Sequence, residues 1–165
     1  MYKRQDYYYR LGIEVETPDG LKTATNTFGI RQSYVTWGLP EATGLRMRLY
    51  GDAIFLGLGN GRNVIALLAH GPHGQDKSRI IRLAMLAFGK GGRAIPWDEV
   101  PDLKGSARLT GENIPTLATL KDVNDPSSAR VVQPGDFEAA FGPGYRLKRA
   151  WTVSYTHLRA HETKA

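Results

Sequence analysis

His70 and His73, in the segment HGPHG at residues 70–74, are the first side chains whose type and spacing could carry chemistry. Imidazole titrates near neutrality, so a pair can relay protons or begin a metal site. Pro72 between them prevents helical spacing, and no third ligand is evident where zinc wants three or four protein ligands. The plain reading is a surface turn. The sharper one is a hydrolase-like enzyme with these imidazoles as its weak catalytic candidates. No metal and no other cofactor is expected.

Other motifs resolve into structure. GLGNGR (residues 57–62) has the outline of a dinucleotide loop, but Arg62 replaces the third glycine and a strand-like run follows, so Asn60-Gly61 reads as a hairpin turn. FGKGGR (88–93) is glycine-rich and basic, yet it follows a helical pattern and so meets the negative end of the dipole; it reads as a helix stop. Asp98-Glu99 and Glu14/Glu16 pair carboxylates, but nothing sets two across a cleft as glycoside chemistry needs, and Glu14 and Glu16 fall on a solvent face of their strand. No Gly-x-Ser-x-Gly elbow, phosphate loop or His-Glu-x-x-His is present. Arg146, Lys148 and Arg149, interleaved with Tyr145 and Trp151, are the nucleic-acid-binding candidates, since such a strand can touch phosphates and stack bases. Charges that protect an edge strand explain them more simply, and a nucleic-acid partner is not favoured.

The formal charge of +6 points towards acidic partners, but it depends on the chain ends. Read as codons, residues 2–5 match one end of a transposon sequence used to build sequencing libraries. Residues 153–163 match its reverse complement continued into the adjoining adapter. Residues 1–5 and 153–165 are therefore expected to be adapter-derived tails, with 6–152 a single natural domain cut short at its C-terminus. Over 6–152, 18 basic residues face 15 acidic ones, and only His70 and His73 remain of the four histidines. There is no cysteine, hence no disulfide or thiolate site, and no apolar run long enough to span a bilayer.

The elements that would position these residues follow from periodicity. Tyr7, Tyr9, Leu11, Ile13 and Val15 alternate with polar neighbours, TPDG (17–20) makes a turn, and residues 21–34 return as a strand. Residues 38–44 read as loop, 45–49 as a strand, and the runs around GNGR as a second hairpin. Residues 76–88 repeat at three and four and predict the longer of two helices. Residues 90–113 read as an ordered loop pinned by Trp97. Two short strands, a short helix within 134–144 and a final strand from Tyr145 follow. The expected class is α+β, mainly antiparallel sheet built from hairpins with one longer and one short helix.

YYYRLGIEVETPDGLKT, LKDVNDPSSARVVQPGDFEAAFGPGYRLKRA and the hairpin between them resemble an uncharacterised proteobacterial family of small β-rich proteins, over about residues 7–151. The resemblance implies an apolar anchor or export segment before Tyr7, and a periplasmic or membrane-anchored location. It brings no activity and no site residues. The expected function is a non-catalytic, envelope-associated domain whose partner is another protein; the hydrolase and nucleic-acid readings are the alternatives.

Overall fold

Alternation decides the first hairpin. In the computed structural model, which describes residues 3–35 and 44–155, β1 (Lys3–Thr17) buries Tyr7, Tyr9, Leu11, Ile13 and Val15 on one face. Pro18 and Asp19 make the turn. Thr17 pairs with Gly20, whose φ of 109° suits glycine, and the Thr17 hydroxyl donates to the Gly20 carbonyl at 2.7 Å. β2 (Gly20–Val35) adds Phe28 and Ile30 to the buried face, where Tyr9 and Phe28 stack with centroids 5.4 Å apart. Most of the loop expected at 38–44 lies outside the described residues; Gly44 opens β3 (Gly44–Tyr50), which pairs with the far half of β2.

The second hairpin is β4 (Ile54–Gly59) and β5 (Arg62–Ala66). Asn60 and Gly61 at its tip hold φ of 52° and 73°, the left-handed pair that matches strand twist. β4 buries Ile54, Leu56 and Leu58 in strict alternation.

The expected helix over 76–88 shrinks to α1 (Leu83–Ala87). The Asp76 carboxylate accepts from the backbone of Ser78 and Arg79, and tight i to i+3 bonds run from Ser78 to Leu83. The carbonyls of Ile80 and Ile81 turn towards β1, where they accept from the Tyr9 and Tyr7 hydroxyls at 2.6 and 2.8 Å. A regular helix would give those carbonyls to its own next turn, so tertiary hydrogen bonds override the periodicity.

Within 90–113, expected as loop, lie a 3-10 turn at Val100–Asp102 and strand β6 (Gly105–Leu109). Trp97 is half-buried and packs on the core as expected. β7 (Leu117–Leu120), β8 (Ala129–Val132), α2 (Phe137–Phe141) and β9 (Arg146–Tyr155) complete the described chain. Phe137, Phe141 and Tyr145 form an aromatic series, and the Arg62 guanidinium covers Tyr145 while its Nε donates to the Phe141 carbonyl at 3.0 Å.

All pairings are antiparallel. One sheet has the order β3-β2-β1-β9-β6, the other β4-β5-β7-β8, and their inner faces share one core. The described residues are thus mainly β with two five-residue helices, which corrects the expected α+β class with a longer helix. β5 and β7 pair backbone to backbone at only two positions; beyond these the buried Asn63 side chain continues the ladder. Its amide donates to the Leu120 carbonyl and accepts from the Leu120 N–H, both at 2.9 Å.

Residues 3–5 pair with 32–34 of β2, and residues 153–155 pair with 8–10 of β1. A backbone ladder accepts almost any residue but proline, so this pairing carries no information on the origin of those residues.

Candidate functional site

His70 sits where the chain leaves the smaller sheet. Its backbone exchanges hydrogen bonds with Asp76, at 2.8 Å for the His70 N–H and 3.0 Å for the Asp76 N–H, closing the intervening loop. Thr116 fastens that loop by donating its hydroxyl to the Gly71 carbonyl at 2.7 Å. Far from lying in a surface turn, His70 is fully buried. Its Nε2 faces the Asn113 carbonyl at 3.2 Å and so carries the proton, while Nδ1 is buried without a partner. Burial pushes its pKa down, aided by Arg79 and opposed by the Asn113 bond and Asp76. His73 is exposed at the loop's tip, its N–H bonded to Gln75. The structure therefore separates the two histidines into different environments.

Beside this loop Arg79 gathers three acceptors: Asp76 at 3.4 Å, Glu112 at 3.0 Å and Asn113 at 3.2 Å. Hydrogen bonds from Ser78 and Arg79 hold the exposed Asp76 carboxyl down at about 2. Arg79 and Glu112 line both of two clefts. One, of about 490 Å³, runs along Thr116, Val131 and Pro134; the other, of about 330 Å³, reaches Gly89 and Arg93. Neither His70 nor His73 lines these clefts. Among the described residues no group of three or more His, Asp or Glu is placed to hold a metal ion.

The outer face of the five-stranded sheet is a different kind of surface. Register assigns it: Asp6, Tyr8, Arg10, Gly12, Glu14 and Glu16 of β1 point away from the core. Arg31 and Gly29 of β2 share that face, with Arg46, Arg48 and Tyr50 of β3, Arg146, Arg149, Trp151 and Val153 of β9, and Ser106 and Arg108 of β6. Lys148 reaches it too, since its ammonium lies 3.8 Å from Glu14. Eight described cations on this face meet three carboxylates, an excess of five positive charges. Elsewhere in the described chain, between residues 5 and 154, ten cations are matched by eleven carboxylates. The positive charge is thus concentrated on one sheet face.

Arg146, Lys148 and Arg149 lie on it but are spoken for. Arg146 pairs with Glu16 at 2.7 Å, and Arg149 and Lys148 converge on Glu14 at 3.2 and 3.8 Å. Glu14, assigned to a solvent face, is consequently almost covered. β9 is an interior strand, so edge protection does not account for its charges; cross-strand ion pairing does. A bulge makes the triple contact possible. Glu14 faces Arg149 while Val15 faces Leu147, so Lys148 is the additional residue and the period-2 alternation of β9 breaks there.

On this face the cations without a carboxylate partner among the described residues are Arg46, Arg48 and Arg108, two of them on edge strand β3. Between the charged positions aromatic rings pack against glycines. Trp151 covers Gly12 so closely that a Cβ there would collide with its indole, and Tyr8 lies over Gly29 more loosely, 3.0 Å from where a Cβ would sit. Arg149 stacks on Trp151 at 4.4 Å and Arg31 on Tyr50 at 5.2 Å. Sequence reasoning singled out only the β9 part. The remaining signal, Arg46 and Arg48 at alternate positions of β3 and Arg10 on β1, gains meaning only when register places those strands in one sheet.

Compared with known proteins, the chain matches no family model, no curated protein and no solved structure.

Proposed function

We propose that this is a non-catalytic binding domain that presents the outer face of its five-stranded sheet to a densely negative partner. The observation that carries the proposal is the excess of five positive charges on that face, against near neutrality elsewhere. Such a face steers an anionic surface into one orientation and raises the association rate. The burial of His70 and the absence of both histidines from the two clefts favour binding over hydrolysis. Envelope association of the native protein belongs to this reading through the family resemblance alone; the charge argument is independent of it.

The test is retention on an immobilised sulfated polymer. Reversing Arg46 and Arg48 to Glu should advance elution strongly, whereas reversing Lys77 and Lys121, both exposed and off this face, should advance it little for the same change in net charge. Equal shifts from the two double variants would sink the proposal.

A further inference from the structure

We infer that the partner of this face is single-stranded nucleic acid, a deepening that rests on the binding-face reading above. Charge alone would suit any polyanion; the rings add a second requirement. Trp151 packs against Gly12 and Tyr8 against Gly29 because the glycines leave room beside the sheet, and both side chains remain partly exposed. Gly12 and Tyr8 are four residues apart on β1, which sets the two platforms roughly 13 Å apart along the strand. Tyr50 stands beside Tyr8 across Gly29 and is 46% exposed.

Arginine covers two of the three rings. Arg149 lies over Trp151 and Arg31 over Tyr50, presenting planar guanidinium groups that stack on bases as aromatic rings do. Arg46, Arg48 and Arg108 flank the rings without carboxylate partners among the described residues, at positions that would meet phosphates on either side. A flat sheet with stacking rings inside a basic margin suits unpaired bases, whose faces are free. A duplex hides its base faces, and an acidic protein makes no use of the platforms.

The experiment uses the whole 165-residue chain with fluorescein-labelled 20-nucleotide oligothymidine and oligouridine, read by anisotropy and by quenching of tryptophan fluorescence. Binding is expected to weaken with salt, with a log–log slope of about −2 to −3 if three or four phosphates are engaged. R46E/R48E should lower affinity roughly tenfold or more at 0.1 M salt and flatten the slope. Trp151→Leu, which still covers Gly12, should lose roughly tenfold in affinity and the quenching while keeping the slope. Circular dichroism of each variant establishes that it is folded. Preference between the two oligonucleotides separates DNA from RNA as the source of the strand. If inorganic polyphosphate binds as tightly and Trp151→Leu changes nothing, the assignment to nucleic acid is overturned while the anionic-partner reading stands. Equal affinity for a duplex of the same sequence overturns the single-strand assignment. Failure of oligonucleotides and polyphosphate alike overturns both readings.

Discussion

The Tyr9 phenol donates to the Ile80 carbonyl at 2.6 Å across 71 residues of chain, and two residues along β1 the Tyr7 phenol does the same to Ile81 at 2.8 Å. These bonds join the inner face of the larger sheet to the turn that replaces a helix. Tyr9→Phe leaves a buried carbonyl short of its better donor and should cost about 1–2 kcal/mol, a drop in Tm of roughly 2–8 °C. Burial raises both phenol pKa values above the ordinary 10.0. The unfolded chain therefore ionises first, and stability should fall as pH rises beyond about 10. Thermal melts of the Tyr7→Phe/Tyr9→Phe double variant should show that alkaline loss much reduced; an unchanged loss would refute the assignment.

His70 works in the opposite direction. Its folded pKa lies below the ordinary 6.5, so its neutral form belongs to the folded state and its contribution is complete above that value. As pH falls below 6.5 the unfolded chain takes up a proton that the folded chain refuses. Stability should then decline until the lowered folded value is reached. Denaturant midpoints of wild type and His70→Leu across this range are the measurement. The variant should be less pH-sensitive below 6.5, and parallel curves would exclude His70 as the cause.

The hairpins were legible because their determinants are local. Alternation from Tyr7 to Val15, Pro18-Asp19 and Asn60-Gly61 each act within a few residues, and the structure realises all three. Residues 76–88 misled because their period is helical while their carbonyl acceptors are claimed by Tyr7 and Tyr9, which local reasoning cannot see. β6 was hidden for a related reason: GSARL has little strand character of its own and exists by pairing with β9. The binding face was visible only in part. Arg146, Lys148 and Arg149 form a run in sequence, whereas Arg10, Arg46, Arg48 and Arg108 come together only through register. The run proved to be the ion-paired part.

Gly12 is demanded by Trp151. A Cβ at that position enters the indole, so Gly12→Ala must lift the ring from the sheet. The expected cost is about 1–3 kcal/mol, as for other overpacking substitutions. Displacing the indole also breaks its stack with Arg149. A red shift in tryptophan emission that disappears in the Gly12→Ala/Trp151→Leu background would identify the ring responsible. A variant with unaltered emission and Tm would show that the ring is not held there in solution.

Asn63 offers a test of the smaller sheet. Its amide is the one group that both accepts from and donates to Leu120 where β5 and β7 have diverged, so the side chain takes the place of a backbone unit. Asn63→Ala leaves both Leu120 groups without that partner, and the loss should be about 2–4 kcal/mol. Asn63→Asp discriminates further. At neutral pH a carboxylate can still accept from the Leu120 N–H but sets a negative oxygen against the Leu120 carbonyl, so the variant should be at least as unstable as the alanine. Protonation restores a donor; the aspartate variant should therefore recover relative to the alanine as pH falls towards 4, in urea titrations run side by side. If the difference between the two variants does not change with pH, the Asn63 amide is not acting as a two-way link in the ladder.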